Sequence, residues 1–365
     1  MEDMRVPART DSHRLLAHIL RCPDCSGSLD PSLRCAGCGR SFLPDPDGIV
    51  DALPGSMERS SANREALQAA IERAAPQAHD DGVVRYEQAF HDEQAAYYDE
   101  LFADPLPMRS YYRRLVTVDI YRLVRRTPFV VDLCCGTGKS SAPLLARGVT
   151  VIGMDVSRAM LRKYRDKFPS SDNPVLIHAD ASRPPLQPRS CGALMMVGGL
   201  HHIPDRGGSL RACSEGLADD GVLILHEPLK TGRRSNAERL LDNVYALLQP
   251  ARVWSAVRRR LAVSPRPDRA LEGDEAHALD FTPFEQPFTS PDELLREVPP
   301  GMRVIVLRSQ AELSFRPFPP ALQSWLGRPV AACIVRIDTW RAEAARRKYT
   351  GDVLFAVLRK QPTGG

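Results

Sequence analysis

Two sets of residues in this 365-residue chain have the types and spacing to do chemistry. The first is Cys22-Pro-Asp-Cys25, nine intervening residues, then Cys35-Ala-Gly-Cys38. Each pair puts two thiolates on one tight turn, and two such turns complete the tetrahedral four-sulfur shell that Zn²⁺ accepts. With sulfur at every position no place is left for a water, so the spacing predicts a structural zinc held by Cys22, Cys25, Cys35 and Cys38. The second set opens with VVDLCCGTG, from Val130 to Gly138. A β-branched run ends there at Asp132 to Cys134, a glycine turn follows, and a helix is expected from about Lys139. Gly136 and Gly138 carry no Cβ to keep a ligand off the backbone, and a helix N-terminus offers unpaired N–H donors. Asp155, at the end of the next β-branched run and seventeen residues past Gly138, is close to the separation at which an acidic residue grips a ribose hydroxyl pair.

Strands and helices must hold these groups in place. FVVDLCC, VTVIGMD, PVLIHAD, GALMMVGG and GVLILHE each end in a small, acidic or polar residue and alternate with amphipathic segments. That order predicts βαβ units and an α/β fold, a doubly wound Rossmann-like parallel sheet covered on both faces. Runs at Arg303 to Leu307 and Asp352 to Leu358 bring the expected strands to seven, after interruptions at 228–289 and 309–350. The chain therefore divides into a zinc ribbon at 1–55, a helical linker and cap at 56–128, and a main domain at 129–365 with those two insertions. Fifty residues so poor in large apolar side chains would struggle to fold without a staple, which favours the metal over four cysteines merely buried in a small core. In the cap, apolar and aromatic residues recur at helical spacing through Tyr86, Phe90, Tyr97 and Leu101, and again through Tyr112, Val116, Ile120 and Val124. Pro105 and Pro107 separate the two stretches, and 56–82, rich in Ala and polar residues, reads as the linker.

At 43% hydrophobic and 26% charged residues the chain is neither disordered nor fibrous. Lys+Arg 49 against Asp+Glu 45 gives a net charge of +4, too even to attract a nucleic acid or a membrane by its global field. No run approaches the roughly 18 apolar residues of a transmembrane helix; the most apolar stretch, around Pro329 to Ile337, is short and carries Arg328 and Arg336 at its ends. The N-terminus is polar through Arg14, which predicts a cytoplasmic protein. The five cysteines outside the quartet, Cys134, Cys135, Cys191, Cys213 and Cys333, are expected to be buried thiols. Charge is uneven only locally: Lys230 to Leu271 holds ten basic residues against three acidic, and Glu272 to Leu295 seven acidic against none. SNAERLLDNVYALLQ, with Ser235 as N-cap, and ARVWSAVRRRLAV read as amphipathic helices in the basic half, and WRAEAARRK as a basic helix in the second insertion. The two halves of the first insertion are expected to neutralise each other in a folded lid; an RNA backbone or an anionic lipid surface are the other partners the basic half allows.

The glycine turn, Asp155, HADASRPPL and GGLHHIPD together resemble the class I S-adenosylmethionine-dependent methyltransferases, well over roughly 110–230 and loosely at 290–308 and 351–360. In that family the turn is a variant of D-x-G-x-G-x-G; Asp132, Gly136 and Gly138 match it, and Cys134 stands at the first glycine, where the resemblance asks only for a small side chain. The resemblance implies S-adenosyl-L-methionine as cofactor, Asp155 on its ribose, Asp180 near its adenine amino group, and GGLHHIPD beside the methyl group. A nicotinamide dehydrogenase would instead have a further glycine three residues past Gly138, where this chain has Ser141. The N-terminal cysteine segment resembles the zinc-ribbon module, similar to the small tRNA-methyltransferase activator protein, that many bacterial methyltransferases carry fused ahead of the catalytic domain. One such group methylates a guanine in ribosomal RNA and has a histidine in the fourth ligand region, where this chain has Cys38.

Methyl transfer from a sulfonium is an in-line displacement with a good leaving group, so alignment in a dry pocket is the first requirement. A hydroxyl acceptor also gains from a base within hydrogen-bond reach, and histidine has the suitable pKa. His201 and His202, just past the fourth run, are the expected catalytic residues, with Glu227 across the sheet edge as a substrate contact, a cap or an arginine partner. Each expectation has a plainer counterpart. The histidines can pack on the cofactor without touching protons, Asp155 can cap the helix SRAMLRKY, and Tyr86, Tyr97 and Tyr98 can form a buried stripe rather than a cofactor cover. The expected function is O- or C-methylation of a small-molecule or lipid-like acceptor. RNA methylation with the zinc ribbon reading the substrate, and a non-catalytic cofactor-binding scaffold, are the alternatives. Nothing in the sequence sets the oligomeric state.

Overall fold

Successive residues of the central runs are apolar, which suits strands whose two faces are both covered. The computed structural model describes residues 9–57, 69, 79–101, 106–169, 174–230, 283–310, 314, 327–344 and 352–362. At its centre lie β1 (Ile49–Asp51), β2 (Val130–Leu133), β3 (Val151–Asp155), β4 (Val175–His178), β5 (Cys191–Val197), β6 (Leu217–Pro228), β7 (Met302–Gln310) and β8 (Val353–Lys360). They form one 8-stranded sheet in the order β1-β4-β3-β2-β5-β6-β8-β7. Every pairing is parallel except those of β8, which lies antiparallel between β6 and β7. The seven expected runs are all strands. No pattern in the sequence announces the eighth, β1, because three residues are too short a window for periodicity.

The helices are α1 (Arg9–Ile19), α2 (His79–Gln94), α3 (Leu106–Arg114), α4 (Arg158–Lys167), α5 (Arg206–Gly216), α6 (Pro291–Glu297) and α7 (Arg328–Ala344), with single turns at Tyr98–Leu101 and Ala142–Leu145. α3 runs on through a π-helical stretch, Leu115–Ile120, into Tyr121–Val124. The strand period of two sorts the core. Val130, Val151, Met195, Ile224 and Phe355 meet Leu115, Ile120 and Val124 on one face. Val131, Ile152, Met196, Leu225 and Leu354 meet Leu16, Ile19, Leu20 and Phe42 on the other. The cysteine-bearing segment is thus part of the main core. Backbone bonds reinforce this, from Arg21 N–H to Pro185 O at 3.0 Å and from Gln187 N–H to Ile19 O at 2.7 Å.

The chain lays β3 and β4 on one side of β2, then crosses back to place β5 and β6 on the other. The carboxyl ends of β2 and β5 therefore open a crevice where the winding reverses, the usual position of a ligand in open α/β sheets.

The expectation that all five remaining cysteines are buried fails at Cys333. Helical period turns Cys333 outward on α7 with Val330, Ile337 and Trp340, while Ala331, Val335 and Asp338 face in. Cys135, Cys191 and Cys213 are buried and Cys134 is partly so. Among the described residues no helix is long and apolar enough to cross a membrane. The two amphipathic helices expected within 235–263 lie outside the described residues, as do most of the basic block of 230–271 and of the linker.

Ile19 is wholly buried in the cluster that the N-terminal segment shares with the sheet. Ile19→Ala should cost about 2–5 kcal/mol. Urea unfolding followed by tryptophan fluorescence and by far-UV circular dichroism should shift together, because this side chain belongs to both parts of the molecule.

Candidate functional site

The crevice is shaped first by backbone. After β2 the chain turns through Cys134, Gly136 and Gly138 with φ of +57°, +53° and +78°. Such angles are easy for glycine and strained for other residues. At Gly138 a Cβ would also run into the ring of Tyr164. The requirement at Cys134 is thus conformational rather than only one of size, and cysteine there holds a left-handed backbone. The helix expected from about Lys139 begins at Ala142 and lasts one turn.

Asp155 ends β3, and its carboxylate accepts the N–H of Gly136 and of Ser157, each at 2.8 Å. It does not cap α4. That N-cap is Ser157, whose Oγ accepts from the Met160 N–H at 3.1 Å. Asp180, just past β4, accepts from the N–H and the hydroxyl of Ser182 at 2.7 and 2.5 Å. Burial raises the pKa of both carboxyls, with the hydrogen bonds from Ser157 and Ser182 only partly offsetting it. Asp132 lies deeper. It is fully buried, its Oδ1 has no hydrogen-bond partner, and desolvation pushes it up to about 7.

Helix α2 forms the opposite wall. Asp92 accepts from Ser157 Oγ at 2.6 Å and from the Ala159 N–H at 3.0 Å, docking α2 on the start of α4. Asp99 accepts from Thr137 Oγ1 at 2.7 Å and from Lys167, tying the same segment to the glycine turn. Tyr86 stacks with Phe90 and meets Phe284 edge-on at 5.0 Å, so it belongs to a buried stripe, whereas Tyr98 faces the crevice.

The crevice, open to solvent at its mouth, spans about 680 Å³. Of the residues singled out in the sequence, Cys134, Gly136, Asp155, Asp180 and His202 line it. Asp132, Gly138 and His201 stand behind its wall. The lining carries three carboxylates, Glu87, Asp155 and Asp180, and among the described residues no lysine or arginine.

The two histidines have different surroundings. Glu227, wholly buried, accepts the N–H groups of Gly199, Leu200 and His201 at 3.0–3.2 Å and the His201 Nδ1–H at 2.8 Å. It therefore pins the loop after β5 rather than contacting an arginine. His202 stacks on His201 with ring centroids 4.1 Å apart, and its Nδ1 lies 3.1 Å from Glu87 Oε2. His91 Nε2 lies 3.4 Å from the same oxygen. Burial opposes the charge on Glu87, but the hydrogen bonds from His202 and His91 outweigh it and hold the carboxyl at about 2. Burial and the neighbouring His201 push His202 down.

In the cysteine quartet, the Cys22 and Cys38 sulfurs are 3.6 Å apart and those of Cys25 and Cys35 3.4 Å, with all four within 4.8 Å. Zn–S bonds of about 2.3 Å place tetrahedral sulfurs roughly 3.8 Å apart, so the four fit one zinc ion. Gly27 allows the close approach, since a Cβ there would meet the Cys35 sulfur at 2.8 Å.

Residues 130–221 match the family described as a methyltransferase domain. The chain carries a methyltransferase domain. It is 33% identical over 107 residues to the demethylmenaquinone methyltransferase of Staphylococcus aureus (strain JH9), covering 28% of this chain and 44% of that protein. The chain thus spans less than half the length of the curated relatives it matches. Similar solved structures include a complex of the Haloferax volcanii Trm112 methyltransferase activator, at 17% identity and a TM-score of 0.42 over 74% of this chain and 97% of that one. Another is the magnesium protoporphyrin IX methyltransferase of Synechocystis PCC 6803, at 12% and 0.43 over 76% of this chain and 100% of that one.

Sequence reasoning missed Glu87 and His91. Their signal is an acid and a histidine four residues apart on one face of a helix, hidden inside an apolar stripe read only for packing. The return of the first insertion was also unmarked. Gln286 N–H bonds His201 O at 2.7 Å, and Arg206 bonds Gln286 O at 2.8 Å.

Two outcomes follow for the methyltransferase domain and its metal centre. With Co²⁺ in place of zinc, the wild type should show thiolate-to-cobalt charge-transfer absorption, and Cys25→Ser should weaken that band and lower the melting temperature by several degrees. The second concerns pH. Asp132 is raised in the fold, so its contribution is fully present below about pH 4 and is lost as pH rises through about 7. Asp132→Asn, which stays neutral, should match the wild type at pH 4 and exceed it above pH 7 by an amount on the order of 4 kcal/mol. Denaturant titrations of both proteins across this range measure the gap.

Proposed function

We propose that this chain transfers the methyl group of S-adenosyl-L-methionine to a small-molecule or lipid-like acceptor, on oxygen or carbon. The observation that carries the proposal is the crevice at the winding reversal, walled by Glu87, Asp155 and Asp180 with no lysine or arginine among the described residues and covered by α2. Such a lining suits a cationic ligand with a ribose. When bound, S-adenosyl-L-methionine supplies an electrophilic methyl group on a sulfonium.

The roles we assign follow from position. Asp155 holds the ribose hydroxyls, Asp180 with Ser182 faces the adenine, and Cys134 and Gly136 bring the backbone close to the cofactor. Asp132 and Gly138 hold that turn from behind. His201 is fixed by Glu227 and braces His202, whose ring lines the crevice and acts on the acceptor. Alignment of nucleophile, methyl and sulfur in this crevice carries most of the rate. Within this reading, 1–55 is a zinc ribbon, 56–128 the linker and cap, and 129–365 the catalytic domain.

The acceptor class rests on the first insertion. Its returning end packs Phe284 against Tyr86 of α2 and bonds Gln286 to the histidine loop, and Lys230 N–H bonds Phe288 O at 2.7 Å to close its base. The described base and returning end of the insertion border the histidine loop and α2, and a quinone-type acceptor such as the demethylmenaquinone relative's name indicates fits a site bordered in this way.

Asp155→Ala should weaken S-adenosyl-L-methionine binding by calorimetry at least tenfold while the fold persists; unchanged affinity sinks the assignment. Methyl-labelled cofactor supplied with an organic cell extract and, separately, with total RNA should label the extract. Label in RNA alone overturns the acceptor.

A further inference from the structure

Glu87, His91 and His202 converge beside the crevice with no role yet given to them as a set. Glu87 and His91 sit four residues apart on one face of α2, and His202 reaches them from the loop after β5. Glu87 Oε2 is 3.1 Å from His202 Nδ1 and 3.4 Å from His91 Nε2, and the three residues can each offer one ligand atom within 4.8 Å of the others. Nitrogen and carboxylate ligands about 2.0–2.2 Å from a zinc-like ion are roughly 3.4 Å apart in a tetrahedron, close to both separations from Glu87.

Hydrogen bonding sharpens the case. His91 Nδ1 lies 3.3 Å from Gln94 Oε1, an oxygen that accepts the Nδ1 proton and leaves Nε2 as the nitrogen that faces the Glu87 carboxylate and could ligate a cation. A cation bound between them would take the place of the proton that His91 Nε2 shares with the Glu87 carboxylate. Ligating histidines commonly donate their other ring N–H to an oxygen in this way. Gln94 and Glu87 are both buried, and His202 is held by its stack on His201.

We propose that Glu87, His91 and His202 form a second metal site, separate from the cysteine quartet, for a divalent transition-metal cation whose open position faces the acceptor. Two imidazoles and one carboxylate select a zinc-, cobalt-, iron- or manganese-like ion over calcium or magnesium. Three protein ligands leave a coordination position free, as in catalytic rather than structural sites. All three ligands line the crevice, so that position opens on it. An acceptor with an ionisable hydroxyl would bind there through oxygen and release its proton more readily to the solvent at the crevice mouth. His202 thus acts on the acceptor through the cation. This last step rests on the methyltransferase reading; the metal site itself does not. His202 also stands within 4.8 Å of a second set with His201 and Glu285. His201 already gives its Nδ1 to Glu227, and Glu285 is not a lining residue, so the α2 set is the assignment.

Full-length protein stripped of metal and titrated with Co²⁺ tests the assignment, with bound metal counted by mass spectrometry. We expect two equivalents. One shows thiolate charge transfer and is lost in Cys25→Ser; the other shows only weak visible bands and binds at least tenfold more weakly in His91→Ala and in His202→Asn. Circular dichroism identifies any variant that fails to fold, and Glu87→Gln then serves in its place. Saturation of the wild type at one equivalent overturns the site, as does a second equivalent unaffected by all three substitutions. Retention in His91→Ala with loss in Glu285→Gln places the ion on the other cluster and also overturns it. Calorimetry with S-adenosyl-L-methionine on the same samples is a separate readout: lost cofactor binding with two metals bound refutes the methyltransferase reading, not the metal site.

Discussion

Asp155 ends its strand inside the protein, and its two carboxylate oxygens take the backbone N–H groups of Gly136 and Ser157. One bond fixes the glycine turn after β2 and the other the start of α4, so a single side chain sets the distance between two walls of the crevice. Ser157 passes the linkage on, since its hydroxyl donates to Asp92 of α2. Turn, strand, helix and cap are thereby coupled through one buried anion. A carboxylate taken out of water is costly unless N–H donors replace its hydration, and here they do so in part. The same bonds that make the burial tolerable also define the site.

Electrostatics around that anion are one-sided. Asp132, Asp155 and Asp180 are all raised by burial, which outweighs the nearby positive groups, and among the described residues no lysine or arginine lines the crevice. Glu87 is the exception, held low by two histidines. A fold built only for stability would avoid such a set. Perturbed carboxyls gathered in a concave site are the mark of a place kept for a ligand that supplies the missing positive charge.

Much of this was legible in the sequence because it is local. VVDLCCGTG reads as strand, turn and helix start, and Asp155, Asp180 and the histidine pair each follow a recognisable strand. The paired CxxC turns likewise converge as their spacing requires. What escaped was set by tertiary context. Nothing in IVD marks it as a strand; it becomes one because β4 needs a neighbour. Glu87 and His91 looked like the polar side of a packing helix, and only the docking of α2 turns them toward His202. Cys333 sits in an apolar run, yet the helix period decides which of its residues face out. The left-handed backbone at Cys134 could not be read from a residue type that seldom adopts it.

The arrangement of the sheet's margins bears on how this molecule behaves in company. An open sheet offers unpaired N–H and C=O groups at its outer strands, and a long flat one invites another chain to zip onto it. Here the N-terminal segment covers the β4 side with a strand of three residues, which leaves a new margin too short to template anything. The far margin, β7, shifts register between Val304 and Val306, an irregularity that bends the strand and breaks the ladder. Both ends of the sheet are blunted within one chain. The segment that gathers four thiols able to hold a metal is therefore also the one that covers the parallel edge of β4, and without it that edge would lie open to other chains.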